Sequence, residues 1–379
     1  MECDSRFVSS LLIDDHPLIH VKFKLKALYY SVLEYIVGRI DRSEETIQRL
    51  DQYKTQLLKN KAYKYTPKKD ADNAIMSLIG SHSLKWRKKY RYMLLCDISL
   101  ICLDKKMVIQ ASRYLKRYLK ENERKKIDDF LNGLIVNRNL GTEYYFLKNL
   151  PEQYYRNVGF LEKPEIRIVV TANMSAGKST LINAFTGKNM AKTAQEACTG
   201  ALCYYFNKPF EDGRIHINSG HTSLDVLEDH IRSLGWQKEI FAASFFRSLE
   251  PKISRIRIID TPGVNSAVNS HHGEITKKTL ITEQYDKVIY ILNANKLGTD
   301  EEISYLRWMR NNISPEKMVF VINKFDDYKQ SDDNIKDSIA GVRKDLARLG
   351  YENPIVCPLS AYFGYLLKRK YYQGELTED

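Results

Sequence analysis

The sequence holds no run of about 18 apolar residues, the length a helix needs to cross a bilayer. Its best candidate, Met93 to Leu103, is short and contains Asp97. The first ten residues, MECDSRFVSS, lack the basic start and apolar stretch of a secretion signal. Six cysteines are scattered with no CxxC pair, which fits reduced thiols. A cytoplasmic location is therefore the default expectation, with peripheral attachment at the inner face of a membrane as its extension. Internal repeats and low-complexity tracts are also missing. What is present is ample for buried cores: 379 residues, 43% hydrophobic and 11% aromatic, enough for two domains or one domain with a large extension.

Charge is unevenly placed. Residues 1–163 hold 31 Lys/Arg against 20 Asp/Glu, whereas 164–379 hold 28 against 27. Within the first part, 54–126 alone carries 20 basic and 6 acidic residues. Apolar residues recur at helical spacing from Val21 to Lys61 (Leu25, Leu28, Val32, Tyr35, Ile36, Ile40, Ile47, Leu50, Leu57), and Pro67 marks a break. A second helical block spans 72–137, and its segment 91–119 faintly resembles the compact helical domain of tellurite-resistance proteins. The division expected is a basic helical region over 1–160, split near Pro67, a catalytic domain over 161–373, and a tail, 374–379. The basic stretch has three readings. It is a solvated bundle face with its aromatics buried, or it binds an anionic membrane surface. The third and weaker reading is nucleic acid, with Tyr63, Tyr65, Trp86, Tyr90 and Tyr92 interleaved for stacking.

At Pro164 the pattern changes. Short β-branched runs appear at 165–171, 201–207, 214–219, 253–260, 287–293, 317–323 and 353–360, and helical stretches are expected at 179–187, 224–248, 274–284, 299–312, 332–349 and 361–371. Alternation of this kind predicts an α/β domain, a mainly parallel sheet covered by helices on both faces, with its ligand at the carboxyl ends of the strands.

Four motifs fall at that edge. ANMSAGKST (172–180) is a phosphate-cradling loop between strand and helix, in which Ser175, Ala176, Gly177, Lys178, Ser179 and Thr180 face the nucleotide. Lys178 reaches the β- and γ-phosphates, and the Ser179 hydroxyl ligates Mg²⁺. The consensus begins with Gly where this chain has Ala172, a cost of about 1–2 kcal/mol if that position needs a left-handed backbone. DTPG (260–263) follows another strand, 82 residues after Lys178. Asp260 holds Mg²⁺ through water, and the Gly263 N–H senses the γ-phosphate. NKFD (323–326) selects the base. Asp326 accepts from the two edge N–H groups of guanine at roughly 1.5–3 kcal/mol each, Asn323 supports the loop, and the Lys324 stem covers the base plane. In CPLSAY (357–362), backbone N–H near Ser360 and Ala361 meets the guanine O6. Between the first two motifs, 191–202 is the expected first switch, with Thr199 completing the Mg²⁺ shell and Thr193 as the alternative. His271 and His272 invite a metal reading, but a flexible loop is the expected role because no third ligand stands nearby.

Residues 164–372 resemble the dynamin superfamily, specifically bacterial dynamin-like GTPases, in SAGKST, DTPGVNS, YILNANKLGTDEE (290–302), INKFDD and PLSAY, and in the inserted segment 220–250. The resemblance implies that Ser175 positions water or a charge-compensating K⁺ or Na⁺, and that Thr199 is the switch threonine. Met174 departs from the eukaryotic pattern, which has Gln there. Val264 stands where Ras-like enzymes carry the water-orienting Gln, so stimulation by a homodimer formed through the G domain is implied. Family members continue into a helical stalk, whereas this chain ends about 20 residues after SAY. Either 1–160 supplies a neck, or the chain is truncated, or a partner protein completes the stalk. The expected function is Mg²⁺-dependent hydrolysis of GTP to GDP and phosphate. The alternatives are an RNA- or ribosome-associated GTPase and a nucleotide-dependent interaction switch with little turnover.

Overall fold

The computed structural model describes residues 5–59, 61, 71–173, 176–191, 202–219, 222–226, 239–247, 254–263, 271–294, 298–324 and 335–373. The chain forms two compact units, Met1–Glu162 and Lys163–Asp379.

The first unit is helical: α1 (Phe23–Ile40), α2 (Glu44–Leu58), α3 (Ala71–Ile79), α4 (Tyr90–Cys102), α5 (Lys105–Lys116), α6 (Glu121–Leu131) and α7 (Leu150–Leu161). The block 21–61 divides because Asp41 caps the turn: its carboxylate accepts from the Ser43 N–H at 2.9 Å and the Thr46 hydroxyl at 2.7 Å. Ile47, counted above in the apolar stripe, is half-exposed. Helix α4 buries 12 of its 13 residues, as a helix apolar on every face must. Its Asp97 is consequently enclosed, and its carboxylate accepts from Tyr53 Oη at 2.9 Å, from Tyr29 Oη and from His16 Nε2 at 3.1 Å. His16 Nδ1 accepts the Leu18 N–H at 3.1 Å, so the ring proton sits on Nε2.

The segment preceding α1 is held in a comparable way. Ser10 exchanges two hydrogen bonds with the Asn157 side chain (2.8 and 2.9 Å), and Leu12 exchanges two with Gln153 (2.8 and 2.9 Å). Two amides one turn apart on α7 thus pair with alternate residues of the segment before α1.

The second unit contains β1 (Glu165–Ala172), α8 (Lys178–Thr186), β2 (Leu202–Asn207), β3 (Ile215–Ser219), β4 (Thr222–Val226), β5 (Glu239–Ser244), β6 (Arg255–Asp260), α9 (His271–Thr282), β7 (Lys287–Asn293), α10 (Asp300–Asn312), β8 (Met318–Asn323), α11 (Ile335–Arg348), β9 (Ile355–Pro358) and α12 (Ala361–Gln373). The strands form one sheet in the order β4-β3-β5-β2-β6-β1-β7-β8-β9. From β6 to β9 all pairings are parallel, whereas β2 runs antiparallel to β6 and β3 antiparallel to both β4 and β5. Val170, Ala172, Ile258 and Ile291 join one core with Leu181 and Ile182 of α8. Tyr290 is buried on the other face, with its ring 5.9 Å from Tyr305 of α10. Helices thus cover both faces, as the alternation predicts.

One expectation fails. The stretch 224–248 is not a single helix: it contains the end of β4 and all of β5. Glu239–Ser244 pairs residue for residue with β2, and Phe241 stacks on Tyr204 at 4.8 Å, so sheet pairing overrides the local helical spacing. Residues 227–238 lie outside the described residues.

Candidate nucleotide site

The parallel strands β1, β6 and β8 and the edge strand β9 deliver the four motifs to one edge of the sheet. Ala172 ends β1 fully buried and is not among the residues with positive φ, so the cost anticipated for it does not arise. Gly177 does need its glycine: φ is +91°, and a Cβ there would collide with Asn323 Nδ2. Met174 and Ser175, between them, lie outside the described residues. Lys178, Ser179 and Thr180 form the first turn of α8.

The Lys178 ammonium pairs with Asp260 Oδ1. Asp260 is buried, and its other oxygen, Oδ2, has no hydrogen-bond partner among the described residues. Burial pushes this carboxyl above its ordinary value, and Lys178 offsets part of that rise. Thr261 fastens the loop to β1 by donating both its N–H (3.3 Å) and its hydroxyl (3.1 Å) to the Val170 carbonyl. Thr276 on α9 donates to the Pro262 carbonyl at 2.8 Å, just before Gly263. Sequence reasoning assigned no role to either threonine; only the place of Thr261 within DTPG and of Thr276 on the following helix could have hinted at them.

Asn323 joins the remaining pieces. Its Nδ2 donates to the Ala176 carbonyl at 2.9 Å, and its Oδ1 accepts the Ala361 N–H at 2.9 Å. Leu359 N–H bonds the Ile322 carbonyl at 2.9 Å, and Ser360 caps α12 by accepting the Phe363 N–H at 3.1 Å. In this arrangement the Ala361 N–H locks the loop to Asn323. Lys324 follows with φ +70°, a left-handed backbone that costs a non-glycine residue about 1–2 kcal/mol. Strain of this sort persists where the surroundings over-determine it, which is common at ligand sites.

Cys203 faces Asp260 across the β2–β6 register, and burial first, then that carboxylate, pushes its thiol up to about 12. Its side chain is buried in the core beneath the sheet. Among the described residues no group of three His, Cys, Asp or Glu could hold a metal by itself. His271 and His272 open α9 rather than lying in a loop; their side chains are outside the described ones. Thr193, Thr199, Val264 and Asp326 also lie outside the described residues.

Residues 168–325 match the family model described as the dynamin family. The C-terminal unit is a dynamin-superfamily G domain. It is 25% identical over 212 residues to a probable transmembrane FZO-like GTPase of Arabidopsis thaliana chloroplasts, covering 54% of this chain and 20% of that protein. It is 23% identical over 216 residues to dynamin-like protein A of Bacillus subtilis, covering 54% of this chain and 17% of that one. A solved structure of an oligomerised bacterial dynamin pair is similar at 17% identity and TM-score 0.42, over 92% of this chain and 63% of the other. The chain thus spans a fifth or less of the length of these two curated relatives. No helix among the described residues is long and apolar enough to cross a membrane.

Proposed function

We propose that the G domain binds GTP and hydrolyses it to GDP and phosphate with Mg²⁺ as cofactor. The observation that carries the reading is Asn323, whose one amide ties the phosphate loop at Ala176 to the base-side loop at Ala361. In this reading, N–H groups of the 173–178 loop and of the first turn of α8 meet phosphate oxygens. Lys178 exchanges the Asp260 carboxylate for the β- and γ-phosphates, so its charge stays compensated. Asp326 accepts from the guanine edge, with the Lys324 stem over the base and Ser360–Ala361 at the O6 side.

The residues present fit the metal. Asp260 offers a buried oxygen without a partner among the described residues, and Ser179 stands at the head of α8; Thr199 would join them. When bound, Mg²⁺ neutralises charge on the β- and γ-phosphates. Water attacks the γ-phosphorus, the bond to the β–γ bridging oxygen breaks, and GDP leaves with the electron pair. Val264 offers no amide to orient that water. A second copy, docking through its own G domain, supplies the missing organisation, and Ser175 with K⁺ or Na⁺ compensates charge. Residues 54–126 are the part that meets an anionic surface.

GTP turnover measured against protein concentration tests the reading. A specific rate that rises with concentration, and is abolished in Lys178→Ala, supports it. A rate independent of concentration rejects the dimer, and no turnover with potassium present leaves a binding switch.

A further inference from the structure

From Asn73 to Cys96 the sequence has five basic residues and no acidic one. Its middle, Ser81–Lys89, is the turn between α3 and α4. The turn is built tightly: Ser83 N–H bonds the Gly80 carbonyl at 3.0 Å, and Arg87 N–H bonds that of Leu84 at 2.8 Å. The Arg87 guanidinium reaches back to the Ser77 carbonyl at 3.1 Å and lies 5.1 Å from the centre of the Trp86 ring, which also meets the ring of Tyr90 edge-on. The indole is therefore propped outward, 50% exposed, beside Leu84 at 56%; Met76, next to Ser77, is 47% exposed.

The charges around these apolar tips fall into two groups. Glu123 takes Lys88 at 2.9 Å and Arg91 at 3.0 Å. Lys85 and Lys89 are exposed and make no ion pair among the described residues. The turn thus carries two large exposed apolar side chains beside two lysines that make no ion pair among the described residues.

We propose that this turn docks the helical unit onto an anionic lipid bilayer, with Leu84 and Trp86 entering the interface and Lys85 and Lys89 meeting lipid phosphates. An indole favours the headgroup level, a leucine the acyl boundary, and basic residues the anionic surface. Nucleic acid fits less well, because single-stranded recognition uses several rings as stacking platforms. Among the described rings of that set, Tyr90 is buried, and Tyr92 is packed against Phe130 at 5.0 Å and Tyr144 at 5.2 Å; Tyr63 and Tyr65 lie outside the described residues. The inference rests on the reading of 54–126 as the surface-seeking part, and not on GTP hydrolysis.

The test is flotation of the full chain with vesicles of phosphatidylcholine alone or containing phosphatidylglycerol, at low and high salt. The wild type is expected to float only with the anionic vesicles and to be released by salt. Lys85→Ala/Lys89→Ala should partition roughly 25-fold less, at about fivefold per basic residue. Leu84→Ser/Trp86→Ser should float less with the anionic vesicles at low salt, and brominated lipid should quench wild-type emission but not the emission of this variant. Circular dichroism of both variants should match the wild type, as should their GTP turnover without vesicles, so a folding defect or a failed GTPase reading is seen separately. Equal flotation of wild type and variants, binding to neutral vesicles alone, or binding to single-stranded RNA without flotation would each overturn the proposal.

Discussion

Gly177 and Asn323 are 146 residues apart in sequence yet occupy adjoining space: the amide of Asn323 passes where a Cβ at position 177 would stand. The phosphate loop and the base-recognition loop are therefore one construction, and damage to either should be felt at both. Gly177→Ala combines this collision with a backbone at φ +91°. The expected outcome is loss of nucleotide binding and a drop in stability of about 2 kcal/mol or more, read by calorimetry and thermal unfolding.

Asn323→Ala leaves the Ala176 carbonyl and the Ala361 N–H without their partner. Each buried orphan costs about 1–3 kcal/mol. Guanine nucleotide affinity should fall even though Asp326 is intact, and a titration with GDP checks it.

Lys178→Ala removes the compensating charge from a buried carboxylate. Turnover should fall at least about 100-fold, the usual loss when one donor to the transition state is deleted. The nucleotide-free variant should also show a pH signature. Burial raises the folded-state pKa of Asp260, and losing Lys178 raises it further, so the folded state binds the extra proton. Stability of the variant relative to wild type should therefore recover as the pH is lowered from about 7 to about 5. A gap in Tm that stays constant over this range would contradict the assignment.

Glu123 supplies the opposite sign in the helical unit. Burial pushes its carboxyl up, but hydrogen bonds from Ser81, Lys88 and Arg91 outweigh that and hold it down at about 2. Its contribution is full above its ordinary value of 4.5 and is lost as the pH falls toward about 2. Glu123→Gln should lower stability at neutral pH and flatten the acid unfolding of this unit, followed by circular dichroism.

Asp97→Ala orphans Tyr29, Tyr53 and His16 together. Destabilisation of at least about 3 kcal/mol follows, confined to the helical unit, so GTP binding by the G domain should survive.

These contrasts also show what a single sequence carries. The gathering of Lys178, Asp260 and Asn323 at one sheet edge was legible because each lies in a short motif that closes or follows an apolar strand. Strand β5 was not, because EIFAAS becomes a strand through its pairing with β2 and its spacing carries no β signal of its own. The arrest of Asn323 between two loops, and the anchoring of DTPG by Thr261 and Thr276, depend on tertiary neighbours. In the helical unit, composition registered the basic surface but not which aromatics face it: Tyr90 and Trp86 are four residues apart, one buried and the other exposed.

Isothermal titration of the metal-loaded protein with GTP and with ATP probes the account most directly. Two charged hydrogen bonds from Asp326 to the guanine edge predict a preference for GTP of roughly 100-fold or more, largely erased in Asp326→Ala. Equal affinity for the two nucleotides, or retention of neither, would contradict it.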